Sequence, residues 1–206
     1  MSLYDRYVLS PMIDRMCGTR EVMDIRREVV PLAEGDVLEL GLGSGLNLGV
    51  YDPGRVRRVV GVDPGAHITA LAQARIANSP FEVEMLALSG EAVPADDHSF
   101  DSAVVTFTFC TIPNVYRALA EVRRLLKPGG RLYFAEHGLS PDPRLQRWQQ
   151  RVNPLWKALA GGCHINRDTR LLLETGGFRI RGIEQSHAMA GPRIATWVSR
   201  GVAEVR

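Results

Sequence analysis

From Asp36 onward the chain alternates short apolar runs, rich in β-branched residues, with segments whose apolar residues recur at helical spacing. Strands are expected over residues 37–40, 59–62, 82–86, 102–106 and 131–135. Most of these runs are continuous rather than alternating, which is how a strand covered on both faces reads. Between them, Val115, Leu119, Val122 and Leu126 share one stripe that begins after Pro113-Asn114 and stops at Pro128-Gly129-Gly130. A second helix carries Ile68, Leu71, Ala72 and Ile76. The end of the chain predicts a helix over 167–175, then strands over 178–185 and 193–198. Alternation of this kind predicts an α/β fold, a parallel sheet with helices on both faces.

Two regions break the pattern. Residues 1–35 precede the first strand and read as helical N-terminal cover, with Pro11 against one unbroken helix. Residues 140–165 read as a helical insertion, with Trp148, Val152, Leu155, Trp156 and Leu159 on one stripe and Pro154 predicting a break or kink inside it. At 206 residues and 45% hydrophobic, the chain suits one core, so residues 1–206 are expected to form a single domain.

Charge and cysteines narrow the partners. The 25 basic and 23 acidic residues leave a net +2, which gives no basic face for nucleic acid. Cys17, Cys110 and Cys163 are odd in number and contain no CxxC pair, so neither a disulfide framework nor a zinc cage is expected. The longest apolar stretch falls short of a membrane span, and the N-terminus lacks a signal-peptide layout. A cytoplasmic location follows as the expectation.

The candidate chemistry starts at Val37-Leu38-Glu39-Leu40-Gly41-Leu42-Gly43-Ser44-Gly45, a strand running into glycines. Glycines there let the backbone turn tightly and approach a ligand. Leu46 stands where a dinucleotide fingerprint needs its third glycine, and the P-loop lysine is absent, which disfavours NAD and ATP. Asp63 closes the second strand roughly twenty positions on, where a carboxylate holds a ribose diol. Gly90-Glu91-Ala92-Val93-Pro94 precedes the fourth strand, and Leu126-Lys127-Pro128-Gly129-Gly130 opens the fifth.

In this ordered set the chain resembles the class I S-adenosylmethionine-dependent methyltransferases of the type 11 group, from about Asp36 to the C-terminus. The resemblance implies a doubly wound, Rossmann-like sheet of seven strands, the last antiparallel and inserted beside its neighbour. It also implies S-adenosylmethionine as cofactor and no metal. Glu39, Gly41, Gly43, Gly45 and Asn47 would line the methionine end, Asp63 and Pro64 the ribose, Gly90, Glu91 and Ala92 the adenine, and Thr106 and Phe107 the floor beneath the methyl. The apolar residues near the N-terminus, Leu3, Tyr4, Tyr7, Val8, Met12 and Ile13, are candidates to fold over that cofactor.

The acceptor side is read from the strand ends. His137 closes the fifth strand and is a candidate general base, with a backbone-bonded structural histidine as the alternative. Gly161-Gly162-Cys163-His164-Ile165-Asn166-Arg167 reads as a loop leading into a helix capped near Asp168. Ligation of a metal by Cys163, His164 and His137 matches no standard spacing. Cys163, His164, Arg167 and Trp156 are candidates to line the acceptor pocket. With Glu136-His137, Trp148-Gln149-Gln150 and Pro154-Leu155-Trp156, they sharpen the resemblance toward the small animal thiol S-methyltransferases of the methyltransferase-like family. The implied acceptor is small or lipid-like and apolar-bodied, a thiol first. Phospholipid N-methyltransferases and quinone-precursor C-methyltransferases share the core motifs, and a non-catalytic S-adenosylmethionine-binding protein is the rival from another class. The Trp148/Trp156 stripe reads as a lid, as a bilayer-touching face flanked by Arg144, Arg147 and Arg151, or as a helix packed on the domain.

Overall fold

The computed structural model describes residues 10–64 and 70–206. The strands are β1 (Gly35–Leu40), β2 (Val56–Val62), β3 (Glu82–Leu86), β4 (Phe100–Thr106), β5 (Leu126–His137), β6 (Phe178–His187) and β7 (Trp197–Val205). They form one sheet in the order β3-β2-β1-β4-β5-β7-β6. The pairs from β3 through β5 are parallel, and β7 runs antiparallel between β5 and β6, as the resemblance implied. Strand order reverses between β1 and β4, so crossovers leave to opposite faces and a crevice opens at the carboxyl ends of those strands.

Helices cover both faces, with α3 (Ala70–Ala77) following β2. On one, α4 (Val115–Leu125) buries Val115, Leu119 and Val122 against Val105, Leu132 and Phe134. Asn114 caps this helix by accepting from the Arg117 N–H at 3.2 Å. On the other face, Ile25 and Val29 of α2 (Arg20–Val29) pack with Val37, Val59, Val104 and Tyr133. Each such fully buried aliphatic side chain contributes about 1.5–3 kcal/mol from its burial. The N-terminal cover is α1 (Ser10–Cys17) followed by α2, interrupted at Gly18. Leu3, Tyr4, Tyr7, Val8 and Ile68 lie outside the described residues, and the structure describes no side chain at Ile13.

Three expectations need correction. β5 begins at Leu126 and contains Lys127-Pro128-Gly129-Gly130, where the register against β4 jumps from Leu126 opposite Phe100 to Arg131 opposite Ser102. The glycine pair is therefore a bulge within a strand as well as a helix stop; Gly129 has φ +83°. The last strand is 197–205 rather than 193–198. Its apolar pattern is hidden by Arg200 and Glu204, which pair with Glu28 and Glu184, and with Arg181, respectively. Finally, α5 (Pro143–Leu159) passes through Pro154 without a break. Pro154 is exposed, so water can satisfy the carbonyl whose helical partner it removes. Among the described residues no helix is long and apolar enough to cross a membrane.

Candidate cofactor and acceptor site

The glycine loop leaves β1 at the switch point. Gly41 has φ +75°, and a Cβ there would lie 2.2 Å from Thr108 Oγ1, so both backbone and space require glycine. Gly43 and Gly45 also have positive φ, and Gly45 leads into a single 3-10 turn, Leu46–Gly49. The Gly43 N–H donates to Asp63 Oδ2 at 2.9 Å, drawing the tips of β1 and β2 together. Pro64 follows, exposed. At Gly90 a Cβ would lie 2.1 Å from Leu40 Cδ2, so packing against β1 alone explains that glycine. Beside it, Glu91 accepts from the Asn114 N–H at 3.1 Å, and the Ala92 N–H donates to Ser89 O.

Under the loop lies a buried polar network. Glu39 accepts from Asn47 Nδ2 at 2.9 Å and from the Tyr51 hydroxyl at 2.7 Å. Asn47 Nδ2 also donates to Thr106 Oγ1 at 3.0 Å, and Arg26 donates to Asn47 Oδ1 at 2.8 Å and to Thr106 Oγ1. Burial pushes the Glu39 carboxyl up to about 7 against the pull of its hydrogen bonds and Arg26. Arg26 belongs to no motif. A signal for it was present: with Val22, Ile25 and Val29 it occupies the buried stripe of α2, where a charged residue needs a partner.

Thr106 ends β4, and Phe107 turns the chain with φ +53°, a conformation that is costly for a bulky residue and gathers at functional sites. Its ring lies under the Arg26 guanidinium, 5.2 Å from the centroid. On the His137 side the ring stacks at 6.5 Å and 20°. The candidate floor residue Phe107 and the candidate base His137 are thus stacked on each other.

At the end of β5, Glu136 Oε1 accepts the Thr108 and Phe109 N–H groups at 2.7 and 3.0 Å, and burial pushes its carboxyl to about 7. His137 Nε2 lies 3.2 Å from Cys163 Sγ, and Trp156 Nε1 donates to the same sulfur at 3.4 Å. The sulfur of Cys110, from the β4–α4 loop, completes a group whose three ligand atoms lie within 4.8 Å of one another. Hydrogen bonding from Cys110, followed by His137 and Trp156, outweighs burial and draws the Cys163 thiol well below its ordinary range. Burial opposes the charged form of His137, but the Cys163 sulfur prevails and raises it.

The remaining acceptor-side candidates separate. His164 is not part of this group; its Nδ1 lies 3.3 Å from Asn153 Nδ2. Arg167 donates to the carbonyls of Phe109 and Ile112, the second at 2.8 Å, and so holds the β4–α4 loop in place. Adjacent residues in the chain pointed to His164, whereas the fold supplies Cys110. On α5 the stripe divides: Val152 and Trp156 pack on Cys110, Cys163 and Ile165, while Trp148, Leu155 and Leu159 are 57%, 65% and 66% exposed.

Comparisons with known proteins bear on the domain and the fold. Residues 38–134 match the family described as methyltransferase domain. The chain is 34% identical over 149 residues to thiol S-methyltransferase TMT1B of Rattus norvegicus, covering 70% of this chain and 60% of that protein. Similarity to thiol S-methyltransferase TMT1A of Homo sapiens is 34% over 152 residues, 72% of this chain and 62% of the relative. The chain therefore spans about 60% of the length of these curated relatives. A putative methyltransferase solved with the Haloferax volcanii Trm112 activator superposes with a TM-score of 0.71 at 18% identity, covering 95% of this chain and 92% of that one. The [4+2]-cyclase SpnF superposes at 0.69 and 17% identity, covering 98% and 93%, so the fold alone does not fix the reaction. Residues 38–134 are a methyltransferase domain, and over 149 to 152 residues the chain is similar to thiol S-methyltransferases.

Proposed function

We propose that the protein transfers a methyl group from S-adenosylmethionine to a small thiol. The observation that carries the cofactor half is the Gly43–Asp63 contact, which sets a lysine-free glycine loop against a carboxylate at the strand-order reversal. A loop of that kind suits a ligand with a ribose diol and an amino-acid end but no phosphate. Two buried atoms fit the amino-acid end in kind: Arg26 Nε is a donor and Glu136 Oε2 an acceptor, both without a hydrogen-bond partner among the described residues. The thiol half rests on the named activity of the curated relatives and on the sulfur-rich acceptor side.

S-adenosylmethionine supplies a methyl already activated on a sulfonium, so the chain has to orient the acceptor in line and exclude water. Asp63 would hold the ribose, the Glu39–Asn47–Arg26 network would shape the methionine end, and Phe107 would form the floor. His137 would stand at the acceptor side with its Nε2 paired to Cys163 Sγ rather than as a free imidazole. The three free cysteines fit a reducing compartment, which favours the cytoplasm. The exposed Trp148, Leu155 and Leu159, flanked by Arg144, Arg147 and Arg151, suit apolar acceptors delivered at a peripheral membrane contact.

The test is an acceptor panel of alkyl thiols, hydrogen sulfide, phosphatidylethanolamine and quinone precursors, read by S-adenosylhomocysteine release. Turnover confined to thiols is expected. Turnover confined to the quinone precursors or the amine would replace the acceptor, and cofactor binding without turnover on any of them would replace the enzyme reading with a binding protein.

A further inference from the structure

The geometry points to a zinc site formed by Cys110 Sγ, His137 Nε2 and Cys163 Sγ, with the acceptor thiol as its fourth ligand. Two thiolates and an imidazole are a donor set that zinc prefers, at about 2.3 Å for sulfur and 2.0–2.1 Å for nitrogen. Tetrahedral coordination at those lengths spaces the ligand atoms about 3.5–3.8 Å apart. Here all three lie within 4.8 Å, and His137 Nε2 and Cys163 Sγ are already at 3.2 Å, so small side-chain shifts complete the geometry.

The three donors come from separate elements that the backbone locks together. Cys110 O accepts the His164 N–H at 2.9 Å, joining the β4–α4 loop to the loop before α6 (Thr169–Thr175). The Leu139 N–H donates to Arg167 O at 2.8 Å, joining the end of β5 to that same loop, and Arg167 straps Phe109 and Ile112. Trp156 Nε1 donates to Cys163 Sγ, the kind of outer-shell hydrogen bond that orients a metal-bound sulfur. A divalent ion with two thiolates is neutral, which suits ligands this buried. Both cysteines are buried, and His137 is partly buried and stacked on Phe107, the side chain assigned to the cofactor floor.

Three protein ligands leave one position for an exogenous group, as in zinc sites that do chemistry. This assignment rests on the thiol reading above. The acceptor R–SH loses its proton to solvent on binding zinc and stays as thiolate. Its sulfur lone pair forms the new S–CH3 bond while the methyl–sulfonium bond of S-adenosylmethionine breaks and returns its electron pair to the donor sulfur. The products are neutral S-adenosylhomocysteine and a thioether, a weak ligand that leaves the metal. Zinc changes neither charge nor oxidation state.

The test strips the purified protein with a chelator, adds cobalt(II) chloride as a spectroscopic probe, and follows tetrahedral d–d and sulfur charge-transfer absorption. One equivalent is expected to bind, with the sulfur bands weakened in Cys110→Ser and Cys163→Ser while S-adenosylmethionine still binds. An alkyl thiol is expected to shift the bands, and Trp156→Phe to weaken metal affinity about tenfold. Zinc chloride is expected to restore thiol methylation to the stripped enzyme. Absent cobalt bands, bands indifferent to thiol, or full activity after stripping would each overturn the site and leave the thiol reading standing. Thiol-responsive cobalt bands with no methyl transfer to any thiol would instead keep the site and overturn the thiol methyltransferase reading.

Discussion

At the scale of single residues, the account depends on Asp63, Gly41 and Glu39. Loss of a charge-assisted hydrogen bond costs about 1.5–3 kcal/mol, so Asp63→Ala should weaken S-adenosylmethionine binding about tenfold or more in titration calorimetry, with the fold intact. Gly41→Ala should destabilise the protein by about 1–3 kcal/mol, because the new methyl must occupy the space of Thr108 on a backbone at φ +75°. Glu39 gives a pH signature. Its carboxyl is raised from 4.5 to about 7 in the folded protein, so the unfolded chain ionises first. Its contribution to stability is complete below the ordinary carboxyl range and is lost as pH rises through about 7. Glu39→Gln removes that loss, so the melting temperature of the variant relative to wild type should climb from about pH 5 to about pH 8. A difference independent of pH would show that Glu39 is not buried as described.

At the scale of elements, α5 is anchored through one fully buried side chain, Gln149. Gln149 Oε1 accepts the Ser140 N–H at 3.0 Å, and Nε2 donates to the carbonyls of Gly138, Ile165 and Ile194. Gln149→Ala leaves three buried backbone groups and one part-buried carbonyl without that partner and should cost about 3 kcal/mol in urea unfolding. Trp148→Ser, on the exposed stripe of the same helix, should change stability by less than about 0.5 kcal/mol. The contrast locates what the sequence showed and what it concealed. The helical period of α5 and the parallel strands were legible because continuous apolar runs and 3.6-residue stripes record burial directly. The inward and outward halves of the α5 stripe were not separable, because Trp148 and Trp156 carry the same apolar signal and only packing on Cys110 and Cys163 distinguishes them. β7 escaped for the opposite reason, its ion pairs with neighbouring elements giving it a polar pattern.

At the scale of the whole molecule, the cofactor side was readable as a linear order of motifs, since the glycine loop and Asp63 lie on consecutive strands. The group around His137 was not, because it is assembled from distant parts of the chain: Cys110 from the β4–α4 loop, His137 from β5 and Cys163 after α5. His137 and Cys163 were both visible as candidates, but their contact and the third member depend on the sheet order. The assembly predicts linkage between ligand and fold. S-adenosylmethionine at about a hundred times its dissociation constant should stabilise the protein by about 2.7 kcal/mol, and Asp63→Ala should reduce that gain at equal cofactor concentration.

Methyl transfer from S-adenosylmethionine to a thiol is decided by mass-spectrometric measurement of the products formed from a single alkyl thiol. The account predicts equal amounts of methyl thioether and S-adenosylhomocysteine, with both falling together in His137→Ala while cofactor binding persists. S-adenosylhomocysteine formed only with a quinone or amine acceptor, and no thioether with any thiol, would contradict it.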